Sequence, residues 1–371
     1  MKIIELIPSL DFGGAERFVA DICNSFVSKG NHVVLITFCN AKGKDSFYPV
    51  LSDKVELKCL GNMTKVKLLY PFFILYYILK ERPTVVHSHL NSVMYLFFSL
   101  FLSKKIKFVH TVHNDAYKEA GGYWGRVYRK FTMGRFILPV TISKESQKSF
   151  YSMYNRSSCL IYNGRSLDES DKAVEKQIFD EILRLKDNPD SFVIVNLARF
   201  AEQKNQLSLV KAVNRINEKK QIIDLYIIGS YSHSKEAIDI YNNISRIRTS
   251  NIHLLGAKNN ASIYLNFADA FCLSSIFEGM PISIIESFSK GCPVLSTPVG
   301  GVVDMVEDGV NGLLSKDTNI ESIVDMLDRF CGMSSGERAR LSENAKESYA
   351  LYSMDTCTSA YLSCFYNNTQ Y

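Results

Sequence analysis

Two carboxylates, Glu278 and Glu286, stand eight positions apart, and a Gly279-Met280-Pro281 turn lies between them. Pro281 suits the first position of a helix, because its ring fixes φ and its missing N–H would be unpaired there anyway. The stretch reads as a strand over 271–274, a loop over 275–280 and a helix over 281–290. A helix start offers unpaired N–H groups and the positive end of a dipole, which suits a phosphate. The same residues also fit a solvated helix that carries two acids.

Other groups fit an anionic ligand. Arg199 and Lys204 follow a strand and precede a helix, so one loop presents a bidentate donor and a point cation. Together with a helix start they suit a pyrophosphate without a metal; a solvated loop is the alternative. Gly13 and Gly14 form a β–α turn through which backbone can approach a ligand. The turn lacks the Gly-x-Gly-x-x-Gly pattern, so a dinucleotide cofactor is not indicated. His113 should sit at the carboxyl edge of a sheet, within reach of a polar ligand. His87, His89 and His110 read as buried, hydrogen-bonded histidines. No acid or cysteine completes a metal set with them in the sequence, so no metal site is expected.

These residues need a frame to hold them. Strand and helix signals alternate twice along the 371 residues. In the first half, strands are expected near 3–7, 32–38, 55–60, 84–87, 107–111 and 137–142, with helices over 15–29, 71–81 and 91–102. Ser143 is placed to cap another helix. A polar stretch over 165–176 marks a boundary. The alternation restarts with strands near 192–197, 225–228, 252–255, 271–273 and 294–296, and helices over 206–217, 281–290, 321–330 and 335–350. Such alternation implies parallel sheets covered by helices, with ligands beyond the strands' carboxyl ends. Two domains follow, 1–165 and 166–350. A last helix lies within 351–371, placed to fold back on the first domain.

Composition supports a chain that buries a sizeable core: 46% apolar and 22% charged residues. The nine cysteines form no Cys-x-x-Cys pair, and several, lying in apolar strand-like runs, read as small buried side chains in a reducing compartment. The start is too short and too soon interrupted for a signal peptide, and no apolar run is long enough to span a bilayer. Residues 1–165 carry 23 Lys and Arg against 11 Asp and Glu; the remainder carries 20 against 27. A basic first half suggests an anionic partner there.

Taken together, the motifs resemble the retaining GT4-type glycosyltransferases of bacterial polysaccharide biosynthesis. The pieces are Gly13-Gly14-Ala15-Glu16, Thr111-Val112-His113-Asn114, Asn163-Gly164, Ala198-Arg199-Phe200 with Lys204-Asn205, the Glu278–Glu286 block, and the run from Gly291 through Gly300-Gly301 to Asn311-Gly312. The resemblance implies the GT-B fold, two Rossmann-like α/β/α domains with the active site in the cleft between them. It implies that Arg199 and Lys204 bind the diphosphate of a nucleotide sugar, and that Glu286 binds the ribose. Glu278 and the backbone of Gly279, Met280, Pro281 and Ile282 would hold sugar and phosphate. His113 would contact the sugar or reacting centre, Gly14 would approach the phosphate, and Gly229 and Gly256 would lie near the base. It further implies a metal-independent hexosyl or N-acetylhexosaminyl transfer. A UDP-sugar is favoured over a GDP-sugar, and the acceptor is a glycan, such as one linked to polyprenyl diphosphate. The chain departs from the family in having Gly229-Ser230-Tyr231-Ser232 for a Gly-x-Gly, and in a displaced acid, with Arg165 after Asn163-Gly164 and Asp168 further on.

Residues 117–135 mix aromatic and basic side chains, with Trp124, Arg126, Arg129 and Lys130 among them. They suit an anionic membrane or acceptor surface, so the chain is expected on the cytoplasmic face of the cell membrane. The apolar helices over 71–79 and 93–102 are expected in the core. Rival readings are a nucleotide-sugar epimerase or hydrolase on a similar fold and a non-catalytic nucleotide-sugar binder. Nucleic-acid recognition has no signature here.

Overall fold

The computed structural model describes all residues except 12, 40–45, 64–65, 103–104, 167–170, 187, 221, 232–233, 259 and 367–371; Asp168 and Ser232 lie outside the described residues. The chain divides into two units. Met1–Ser166 and the chain from Tyr352 onward form one, and Leu167–Leu351 the other.

The first unit is built on strands β1 (Lys2–Ile7), β2 (His32–Thr37), β3 (Glu56–Cys59), β4 (Val85–His89), β5 (Lys107–Val112), β6 (Ile137–Thr141) and β7 (Cys159–Leu160). They form one parallel sheet in the order β3-β2-β1-β4-β5-β6-β7. Its inner strands carry apolar runs such as Val33–Ile36 because helices cover both faces. The helices of this half are α1 (Gly14–Ser28), α2 (Tyr70–Glu81), α3 (Ala116–Glu119), α4 (Tyr123–Thr132) and α5 (Lys144–Tyr154). Ser143 caps α5 by accepting from the Ser146 N–H.

The second unit holds α6 (Lys172–Leu185), β8 (Phe192–Leu197), α7 (Gln206–Lys220), β9 (Ile223–Ile228), α8 (Lys235–Ile247), β10 (Ile252–Gly256), β11 (Ala270–Leu273), α9 (Ile282–Ser289), β12 (Val294–Ser296), α10 (Val302–Met305), β13 (Gly312–Leu314), α11 (Ile320–Gly332) and α12 (Ser335–Ser348). Its parallel sheet runs β10-β9-β8-β11-β12-β13. The last helix, α13 (Met354–Tyr366), belongs to the first unit. It lies on α1, where Thr358 Oγ1 donates to Ser25 Oγ at 2.7 Å and Phe365 meets Phe26. Gly164 lets the chain pass under its start, since a Cβ there would lie 2.6 Å from the Cys357 Cβ.

Several expectations need correction. The helix over 91–102 is two 3-10 turns, Leu90–Leu96 and Ser99–Phe101. The Ser92 hydroxyl accepts from the His89 N–H and contacts the Leu6 carbonyl at 2.9 Å, so the turn is tied to the ends of β4 and β1. The apolar segments 71–79 and 93–102 are core on one side only. Ile74, Tyr77, Val93 and Leu96 are buried, while Phe72, Tyr76, Leu79, Phe97, Phe98 and Phe101 are exposed. Pro281 is the residue before α9 and not its first helical residue, because its ψ of 117° is extended. Helices α6 and α8, capped by Asp171 and Ser234, were not expected; α6 begins within the polar stretch read as a boundary, and α8 lies where no element was assigned.

Candidate active site

Sheet order reverses direction between β8 and β11 in the second unit, the position beyond whose strand ends such sheets bind ligands. The loop after β8 carries Arg199 and Lys204; the loop after β11 carries Glu278. The two loops are sewn together. Ile276 N–H donates to the Gln203 carbonyl at 2.8 Å, Gln203 Nε2 to the Phe277 carbonyl at 2.9 Å, and Ser274 Oγ to the Lys204 carbonyl at 3.0 Å.

Within that frame Lys204 Nζ donates to Glu278 Oε1 at 2.6 Å, and Ser275 Oγ donates to the same oxygen at 2.5 Å. Both charged side chains are largely buried, 16% and 6% exposed, so the attraction is little screened. Arg199 is exposed. Met280, Pro281 and Ile282 are buried side chains, so what they can offer a ligand is backbone at the start of α9. Glu286 sits half-buried one turn further on. Two glycines admit the close approaches. A Cβ at Gly300 would lie 1.8 Å from the Glu278 carbonyl oxygen, and one at Gly229 would lie 1.9 Å from that of Ala198. Gly229 N–H donates to the Gly256 carbonyl at 2.9 Å.

In the first unit Gly14 opens α1 after β1, and His113 follows β5. Both are at the carboxyl edge of the sheet. His113 Nε2 lies 2.8 Å from His89 Nδ1, and the His113 backbone N–H donates to Glu119 Oε2 at 2.7 Å. His89 Nε2 lies 2.8 Å from Glu5 Oε2, and His87 Nδ1 is 3.1 Å from the same carboxylate. Burial holds His113 down to about 4 and keeps His87 and His89 well below the ordinary imidazole value, while it pushes Glu5 up. Burial also opposes the charge on Glu119, but His110 and Arg129 outweigh it and hold that carboxyl at about 2.

The acid that the sequence reading did not find for the histidines is Glu5, 82 residues before His87. Candidate ligand atoms of Glu5, His87 and His89 lie within 4.8 Å of one another. They already pair as hydrogen-bond donors and acceptors. Arg129 is also corrected. It is 2% exposed, with its guanidinium 2.8 Å from His110 Nε2 and 3.3 Å from Glu119 Oε1. It is therefore a buried structural cation and not part of a surface. Trp124, Arg126 and Lys130 are exposed on α4, as expected.

The family model for glycosyl transferases group 1 matches residues 178–348, and that for glycosyltransferase family 4 matches residues 12–169. The chain belongs to the family 4 glycosyltransferases. It is 28% identical over 281 residues to the UDP-Gal:alpha-D-GlcNAc-diphosphoundecaprenol alpha-1,3-galactosyltransferase of Escherichia coli, covering 72% of each chain. An alpha-1,4-N-acetyl-D-galactosaminyltransferase of Campylobacter jejuni, named for a diphosphoundecaprenol-linked glycan, is 24% identical over 324 residues, or 85% of this chain and 84% of that one. The structure of Anabaena HepE in complex with UDP superposes with a TM-score of 0.80 at 18% identity, covering 98% and 99% of the two chains. This glycosyltransferase has the GT-B fold.

Within the glycosyltransferase, the residues brought together are Lys204, Glu278 and Ser275 beside the start of α9 in one unit, with Arg199 exposed on the same loop as Lys204, and His113 beside Glu5, His87 and His89 in the other. Ser275, three residues before Glu278, was not singled out from sequence, and Gly300 was read as part of a motif with no role of its own. No helix among the described residues is long and apolar enough to cross a membrane.

Proposed function

We propose that this glycosyltransferase moves a hexose or N-acetylhexosamine from a UDP-sugar to a polyprenyl-diphosphate-linked glycan, with retention of configuration and without a metal. The setting is assembly of a cell-surface polysaccharide, as O-antigen lipopolysaccharide or capsule. The donor and acceptor named for the Escherichia coli relative, and the UDP bound by HepE, support this reading.

The observation that carries it is the Lys204–Glu278 pair at the β8–β11 reversal, beside the start of α9. An ammonium, a guanidinium and a helix start can take up the charge of a departing diphosphate. Lys204 has three N–H donors, so it can bond a phosphate oxygen while still facing Glu278. Glu278, held by Ser275, would accept from sugar hydroxyls, and Glu286 from the two ribose hydroxyls. In the transfer the anomeric C–O bond to diphosphate breaks and the acceptor oxygen bonds that carbon on the same face. The acceptor's hydroxyl proton passes to the leaving phosphate oxygen. His113 would bond the donor sugar.

A thermal-shift panel of UDP-, GDP- and ADP-sugars tests the donor. A rise in Tm with UDP-sugars that disappears in Arg199→Ala is the expected result. Stabilisation by GDP- or ADP-sugars alone, or by none, overturns it.

We propose further that the first unit docks on the cytoplasmic face of an anionic membrane. Its exposed aromatic side chains Phe72, Phe97, Phe98, Phe101 and Phe131, interleaved with lysine and arginine, support this.

A further inference from the structure

The hydrogen bonds behind His113 have a direction that can be worked out from one end. Tyr361 on α13 is wholly buried, and its hydroxyl lies 2.8 Å from Thr111 Oγ1, its one partner among the described residues. A buried phenol gives its proton to its partner rather than leave it unpaired, so Tyr361 donates to Thr111. Thr111 Oγ1 in turn lies 2.8 Å from His87 Nε2 and donates to it. His87 therefore carries its proton on Nδ1 and donates it to Glu5.

A carboxylate only accepts, so Glu5 also takes the proton of His89 Nε2, 2.8 Å away. That leaves His89 Nδ1 as a bare lone pair. His113 Nε2, 2.8 Å from it, must be the donor. The far nitrogen of the chain, His113 Nδ1, then has no proton and no partner among the described residues. Phe18 meets both rings edge-on, at 6.1 Å from His89 and 5.6 Å from His113, and limits their rotation.

We infer that Glu5, His87 and His89 are positioning residues that lock the proton of His113 on Nε2 and leave Nδ1 as an acceptor for a hydroxyl of the donor sugar. The role given to the sugar rests on the donor reading above; the tautomer does not. The locked ring accepts a hydrogen bond and has no proton to give at Nδ1, so it selects a hydroxyl over a phosphate or carboxylate oxygen.

Glu5→Gln tests the chain with little change of shape. The Tyr361 end still fixes His87 as a donor, so the new amide must turn its oxygen to His87 and its NH2 to His89. His89 then moves its proton to Nδ1, and His113 is forced to carry its own there as well. Long-range ¹⁵N NMR of the histidine rings at alkaline pH should show His113 protonated on Nε2 in the unaltered protein and on Nδ1 in Glu5→Gln. A Nδ1 proton in the unaltered protein, or no change in the variant, overturns the relay. Calorimetry with UDP and UDP-glucose reads the consequence. UDP affinity should hold within about twofold, while UDP-glucose should lose roughly tenfold, the worth of one hydrogen bond at the upper end. Equal losses for both ligands overturn the sugar contact. Failure of the unaltered protein to bind either ligand refutes the donor reading, and the NMR result still decides the relay.

Discussion

His113 is neutral because it is buried, and this gives the first unit a predictable weakness to acid. Unfolded, the ring takes up a proton near 6.5; folded, it does so only at about 4. The unfolded chain binds more protons across that window, so stability falls as pH drops through it. At pH 5 this one ring costs about 2 kcal/mol. His87 and His89 act with the same sign, Glu119 adds to it below the ordinary carboxylate range, and Glu5, pushed up by burial, offsets a part. Calorimetric scans should show the first unit's transition dropping between pH 7 and pH 5 by more than the second's. In the second unit, Lys204→Ala strips Glu278 of its cation and should weaken UDP-sugar binding by about 10–100-fold. Glu278→Gln should lower turnover more than UDP affinity. The double variant should cost less than the two single effects combined, because the groups interact. Isothermal titration and initial rates check this. Arg199, Lys204, Glu278 and His113 were legible in the sequence because each follows a strand signal, and strand ends are where such sheets bind ligands. Glu5 and Arg129 were not. Their roles come from partners up to 84 residues away, and a local pattern carries no trace of them.

Elements carry these side chains, and their close approaches set the tolerance of the site. Gly300 has φ of 55° and touches the Glu278 carbonyl, so a side chain there is strained twice. Gly300→Ala should lower stability by about 1–3 kcal/mol and push the Glu278 loop outward. The expected readout is a lower Tm and a loss of UDP-sugar binding larger than the stability loss explains. An unchanged affinity would show that the loop's position is not critical. The parallel sheets were readable because their strands are long apolar runs between helical periods. The α8 helix was missed although Ser234 caps it and Ile240 and Ile244 share a face, because its charged residues mask the period. The segment 91–102 misled in the other sense. Its apolar content suits a helix, but Ser92 ties the chain to β1 and β4 and winds it tighter.

At the scale of the molecule the feature that the donor site leaves unused is the apolar surface of the first unit. Phe72, Phe98, Phe97, Phe101, Phe136 and Phe131 form an unbroken series of ring contacts, with centroids 5.2–5.7 Å apart, from α2 to the end of α4. Monomers rarely expose such a patch unless it binds something. Besides the buried Arg129, residues 60–107 and 121–136 contain ten lysines and arginines and one acid, Glu81, which pairs with Lys2. Arg135 lies over the Phe131 ring, with exposed Lys130 beside it in sequence. Two copies facing each other through this surface would set like charges together, whereas an anionic bilayer accepts both the rings and the cations. Each cation near such a surface contributes about 1 kcal/mol, so Lys130→Glu with Arg135→Glu should weaken vesicle binding more than tenfold. Phe72→Ser with Phe101→Ser should do the same without salt dependence, because it removes apolar contact alone. Co-sedimentation with phosphatidylethanolamine–phosphatidylglycerol vesicles reads both, with phosphatidylcholine vesicles as the uncharged control. Arg129 should be left intact, since its loss would strand Glu119 in the core. Undiminished binding in both variants would refute the membrane role. A dimer in sedimentation velocity that dissociates on Phe72→Ser with Phe101→Ser would instead assign the patch to self-association.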